Sequence, residues 1–275
     1  MLRFVSSRWL SLKPALLRVL DQWENLKQYF LEYLPSLKEF KRTIQPTERY
    51  KRIISILRNP SSQAYLAFLT FICQHFETFL LKFQRREPMI HVLHTALTSL
   101  LLELMQKFIK KKLLTSENAE KTLKSIVNLT KIDTTNPGNR RSSKKIDVGT
   151  RAMTYLLQND VSEGDVEKFK KTCMNVFVVI VSNLQRFIPF DSMILKDATM
   201  LHPDNRHDQN SLSSISRLSL AISEPLTLAL NSLFPISGDR SEASTKENIC
   251  DEVRNEWRLY QLDTNLPSFE KSSEK

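Results

Sequence analysis

Glycine is scarce. The chain has four in 275 residues, Gly138, Gly149, Gly164 and Gly238, and they are scattered. Without a glycine-rich turn the backbone cannot wrap a phosphate as P-loop and dinucleotide folds do, so both classes are excluded. Cysteine is rarer still. Cys73, Cys173 and Cys250 are an odd number at wide spacing, which offers neither a disulfide framework nor a four-thiolate zinc site and points to a reducing compartment. The strings GxSxG, HExxH and CxxC do not occur, so the strong signatures of serine hydrolases and zinc enzymes are missing. Long apolar runs are missing too: the longest strictly apolar stretch is VFVVIV at 176–181, and the apolar helix expected over 89–109 carries His91, His94 and Glu103. Neither is expected to span a bilayer. The opening MLRFVSSRWLSL runs into an amphipathic stretch instead of a small-residue cleavage site, and is not read as a signal peptide.

What the chain has is positive charge and helical periodicity. Lysine and arginine number 40 against 30 acidic residues, a net charge of +10. The excess is uneven: residues 1–150 carry 26 basic and 12 acidic side chains, residues 151–275 carry 14 and 18. A basic front half suits a polyanion, because Lys and Arg neutralising phosphates supply most non-specific nucleic-acid affinity. It equally suits association of a basic half with an acidic half, or simple solubility.

Apolar residues recur at helical spacing through most of the chain, with no alternating strand pattern, so the expected fold is all-α, an irregular multi-helix domain of about nine or ten helices. Leu16, Leu17, Leu20, Trp23, Leu26, Phe30 and Tyr33 form one stripe of the first helix, with Ser11 as its cap and Pro14 in its first turn. Short helices follow Pro35 and Pro46, the second ended by Asn59-Pro60. SQAYLAFLTFICQHFETFLLKFQRRE is apolar nearly all round and should be central. The helix from Pro88 ends in Lys107, Lys110, Lys111 and Lys112, where cations suit the helix dipole. A more polar helix is expected from Thr115 or Ser116 to Thr130.

Residues 133–147, DTTNPGNRRSSKKID, lack apolar periodicity and are expected to be a flexible basic loop joining a basic helical part (1–132) to a second part (148–263) packed on it in the same domain. Ser162 with Asp165 starts a long helix that includes VFVVIV. Further helices follow, broken at Pro225, with a flexible stretch from Ile236 to Asn248 and a frayed tail over 264–275.

Several clusters could carry chemistry. His91 and His94 lie three apart on a helix, and a hairpin could bring Cys73 and His75 near them; Cys73 and His75, two apart, point in different directions, so packing is the default. The loop HPDNRHD at 202–208 has residues suited in kind to acid–base or metal work, but a solvated turn is its ordinary meaning. Glu163, Asp165 and Glu167 sit where carboxylates favour a helix N-terminus. The lysines at 107–112, Arg140 and Arg141 are candidate phosphate contacts or solvated helix ends. Trp9 has two roles open to it: packing back on the first turns of its helix, or stacking on a nucleic-acid base.

The string LRFVSSRWLSLKPALLRVLDQWENLKQYFLEYL at 2–34, with the pair Arg8-Trp9 ahead of a Pro-Ala-Leu-Leu helix and a second Trp, resembles the arginine-tryptophan motif of hAT-superfamily transposases. The likeness continues weakly through ERYKRIISIL, PMIHVLH, LMQKFIKKK, IDVGTRA, LHPDNR and EWRLYQLD. The resemblance implies the helical insertion domain of such a transposase, which in that family interrupts a ribonuclease-H-like core bearing two Asp and one Glu for metal-assisted strand transfer. Those carboxylates cannot be matched here, and neither can a zinc-finger DNA reader. The chain looks as if it starts at the insertion and stops before the region of the catalytic Glu. The expectation is a non-enzyme, transposon-derived and nuclear, without cofactor, metal or small-molecule ligand. It would bind DNA weakly and non-specifically through Arg8, Trp9, Lys107, Lys110, Lys111, Lys112, Arg140 and Arg141. The alternative is a helical protein-interaction or oligomerisation module, associating with itself or another transposase-like chain.

Overall fold

A stripe of large apolar side chains on a helix demands a partner helix, and in this chain the aromatics decide which helices meet. The computed structural model describes residues 11–38, 40–84, 86, 88–114, 129–233 and 242–263, and of residues 42, 224–233 and 242–249 the backbone alone. The described residues are helices and turns without a strand, so the all-α expectation holds; one isolated antiparallel bridge joins Ile109 and Arg140.

The first expected helix is divided. α1 covers Leu12–Asp21 and α2 Trp23–Lys27; a π turn, Gln28–Tyr33, leads into the short α3, Leu34–Ser36. The π turn shifts the apolar stripe. Leu16, Leu20 and Trp23 are buried as their spacing predicts, but Tyr33 is 56 % exposed and Leu34 takes the inward position. One wider turn is enough to rotate every later side chain.

The chain forms two compact units that interleave in sequence: Met1–Gln84 with Leu100–Phe187, and Arg85–Ser99 with Ile188–Lys275. One boundary between the units, at residues 99 and 100, falls inside α7 (Ile90–Phe108).

In the first unit, α4 (Phe40–Thr43) and α5 (Glu48–Arg58) lead to α6 (Ser62–Phe83). Thr47 caps α5, accepting from the Tyr50 amide at 3.3 Å, and the Asn59 side chain accepts from the Ser61 amide at 2.9 Å to start α6. α6 is long and apolar enough to cross a membrane, with a mean hydropathy of 1.3. Here Ala64, Ala67, Phe68, Ile72 and Cys73 are buried, and α6 packs against α1 and, past the short α8 (Lys111–Leu114) in chain order, against α9 (Thr150–Gln158). α10 (Glu163–Phe187) brings Phe169 and Phe177 onto Phe68 edge-on, with ring centroids 6.3 and 5.3 Å away, and Phe108 stacks on Phe177 at 5.6 Å. VFVVIV is thus helical, and Ser162 caps it as expected, accepting from the Asp165 amide at 3.2 Å.

In the second unit, α11 (Met193–Ala198) packs on α12 (Ser211–Leu233), which pairs with α13 (Glu242–Leu262). α12 runs through Pro225 instead of breaking there. A proline interior to a helix removes one donor, here to the Ala221 carbonyl, and that single loss does not end this helix. α13 starts inside the stretch expected to be flexible. Asp197 is buried and receives two hydrogen bonds from the Arg217 guanidinium, at 3.0 and 2.6 Å.

Candidate nucleic-acid interface

Residues 133–147 form a strap hydrogen-bonded to the end of α7. Its backbone runs beside the end of α7: the Lys110 amide donates to Asn139 at 3.0 Å, Arg141 to Phe108 at 2.7 Å, and Asp147 to Lys107 at 3.0 Å. The sequence hides this because the anchoring is done by polar groups within turns. Asp133 accepts from the Thr135 amide at 2.8 Å and Asn136 from Gly138 at 2.8 Å, while the Asn139 side chain returns to the Asp133 carbonyl. Thr134 is buried with its hydroxyl 2.9 Å from that of Ser182, and Gln185 of α10 donates to Leu129 and Ile132. Ile146 and Val148 are buried at the far end. Satisfied backbone groups and a few buried side chains suffice to order such a strap without periodicity.

Pairing the strap with α7 gathers cations that are about thirty residues apart in sequence. Residues 107–112 and 133–147 together hold eight basic side chains and two acidic ones. These eight are not equivalent. Lys107 donates to Asp147 at 2.9 Å and lies 5.0 Å from the centre of the Phe71 ring. Lys110 reaches the Gly138 carbonyl; Arg140 donates to the carbonyls of Thr134 and Thr135; Arg141 donates to Ile109 at 2.9 Å. Four of the expected phosphate contacts therefore serve first to hold the strap, although each arginine has further N–H groups to offer. Lys111, Lys112, Lys144 and Lys145 are exposed. Lys170 of α10 joins them, donating to the Lys144 carbonyl at 3.1 Å.

Asp147, Glu167 and Asp133 are already engaged, while Glu163 lines a pocket together with Lys144 and Lys170. Burial raises the Asp147 carboxyl, but the hydrogen bonds from Lys107 and from the Gly149 amide, with the charges of Lys107 and His75, outweigh it and hold the group below its ordinary value. Glu167 is lowered by its hydrogen bond and charge contact with Lys171, and Asp133 by hydrogen bonds from Thr135. These acids stay ionised and partnered at neutral pH, and the strap region keeps its positive excess.

Arg8 and Trp9 lie outside the described residues. The five histidines stand in different surroundings, with the His91 ring centre 5.5 Å from that of His202. His94 is buried, and its Nε2–H donates to the Phe190 carbonyl at 3.1 Å; His75 donates to Glu103 at 3.2 Å. His202 accepts from the Asp204 amide at 3.2 Å inside a tight turn, and Arg206 donates to His207 at 3.0 Å. Among the described residues no group of three or more His, Cys, Asp or Glu side chains could hold a metal ion.

Sequence reading missed Lys144, Lys145 and Lys170 as members of the cluster. The pair Lys144-Lys145 was legible as charge; only the strap's path reveals its neighbours. No family model, curated protein or solved structure matches this chain.

Proposed function

We propose that the chain is a non-catalytic, hAT transposase-derived helical protein that contacts nucleic acid through its phosphate backbone, at the strap and the end of α7. The observation that carries the interface is the gathering of Lys110, Lys111, Lys112, Arg140, Arg141, Lys144, Lys145 and Lys170, with the nearby Asp147, Glu167 and Asp133 already held by Lys107, Lys171 and Thr135. What supports the ancestry is the Arg8-Trp9 string and the weaker likenesses after it. The interface offers charge without a groove-reading element, so it fixes position and carries no base preference. A nuclear location belongs to the same proposal.

Fluorescence anisotropy with labelled duplex and hairpin DNA tests it. Binding is expected at micromolar strength or weaker, falling steeply with salt. The variant with Lys111, Lys112, Lys144 and Lys145 changed to Ala should flatten the log–log salt slope by about 0.9 for each phosphate that is no longer neutralised. These four are exposed, so the fold should survive, as circular dichroism would verify. No binding at low salt, or equal binding by the variant, sinks the proposal. Arg8→Ala with Trp9→Ala separates the rivals: lost DNA affinity with unchanged folding supports the nucleic-acid role, and lost self-association supports the interaction module.

A further inference from the structure

A different surface, wholly within the second unit, has the opposite character. α12 and α13 leave between them an apolar groove of about 610 Å³. Ile215, Leu218 and Ile222 line it from α12, at the spacing of one helix face; Val253, Trp257 and Tyr260 line it from α13. Ile222 is 52 % exposed and Val253 36 %, so apolar surface remains open to water. The Trp257 side chain is buried, and its Nε1 meets no acceptor among the described residues. Glu252 and Glu256, one helical turn apart and exposed, stand on the same wall. Arg206, with its guanidinium carbon 5.9 Å from the Tyr260 ring centre, marks the other end.

We propose that this groove receives an amphipathic helix of another protein whose apolar stripe is flanked by Lys or Arg. The width between two paired helices and the i, i+3, i+7 apolar row suit a third helix laid into the gap. A flat groove would accept any apolar helix; the two carboxylates select the sign of its flank. They also argue against a second copy docking face to face. An isologous pair puts the same patch on both sides, so one interface would hold two copies each of Glu252 and Glu256 against two of Arg206, an acidic excess that no other residue lining the groove balances. Tyr260, only part-buried in this wall, is a side chain of the kind that often anchors an interface.

The test uses the full chain and two labelled, designed helical peptides with the same leucine stripe, one flanked by lysines and one by glutamates. Anisotropy should show saturable binding of the lysine peptide and at least tenfold weaker binding of the glutamate peptide. In the double variant Glu252→Lys, Glu256→Lys the preference should reverse, a gain of binding that an unfolded protein cannot mimic. Ile222→Asp should weaken both peptides. Equal binding of the two peptides, or a preference unmoved by the charge reversal, overturns the proposal. So does a sedimentation result in which the free chain is a dimer that Ile222→Asp dissociates, since the groove is then filled by a second copy.

Discussion

Asp197 is 4 % exposed, and Arg217, which grips it with two nitrogens, has a side chain 48 % exposed. Breaking a pair costs most when it strands a charge where water cannot reach. The asymmetry has a direct consequence: Arg217→Leu leaves the buried carboxylate without its guanidinium, whereas Asp197→Asn leaves an arginine that water can solvate. Urea denaturation should show the first variant losing clearly more stability than the second, and equal losses would mean that the pair is solvated on both sides. Gly149 is a second site where one residue carries a constraint. Its φ is +84°, and a Cβ built there would stand 2.9 Å from the Phe71 ring. Gly149→Ala should therefore cost roughly 2–4 kcal/mol, combining backbone strain with overpacking. A thermal midpoint within a degree of the parent would contradict this. Cys173 is buried, with its thiol pushed far up by desolvation. Alkylation by iodoacetamide should be negligible until the protein unfolds.

The strap is the element on which the candidate interface depends, and Asp147 is one of its closures. This carboxyl titrates below its ordinary value in the folded chain. A lowered folded pKa means that ionised Asp147 stabilises the closed strap above the ordinary carboxylate range, and that this contribution is lost as pH falls through the lowered value. Hydrogen exchange at the Arg141 and Asp147 amides should accordingly speed up at the acid end, relative to intrinsic rates, before the Phe68 and Phe177 region opens. Asp147→Asn should speed the same two amides at neutral pH by roughly threefold or more. Uniform exchange across both regions would mean that the strap has no independent opening. The same element shows why part of the site was not legible. Helix periodicity located α6, α7 and α10, and the cap Ser162 was readable because it is a side-chain-to-backbone bond within four residues. The strap is held by carbonyls of Thr134, Thr135, Gly138 and Ile109 that receive Lys and Arg side chains, and nothing in residue order distinguishes such cations from solvated ones. The π turn at Gln28–Tyr33 escaped for a related reason: a stripe written at 3.6 residues per turn is indifferent to one wider turn until the partner helix is known.

At the scale of the molecule, the basic front and acidic back of the chain are a property of order in sequence, whereas each compact unit draws on two separated segments. Phe68 and Phe108 come from before the strap, and Phe169 and Phe177, which pack on them, from after it. A break at residue 132 would thus divide the first unit through its aromatic centre. Truncating one buried phenylalanine to alanine costs about 3–5 kcal/mol, and a domain's whole stability is only about 5–15 kcal/mol. A fragment of residues 1–132 lacks both partner rings together with the rest of α10, and should show no cooperative unfolding in urea and little amide dispersion by NMR. A fragment of residues 1–187 contains every segment of that unit and should unfold cooperatively. If the shorter fragment also folds, the aromatic contacts between α6, α7 and α10 are not what holds the unit together, and a strap that bridges two stretches of one core becomes a mere connector between two independent ones.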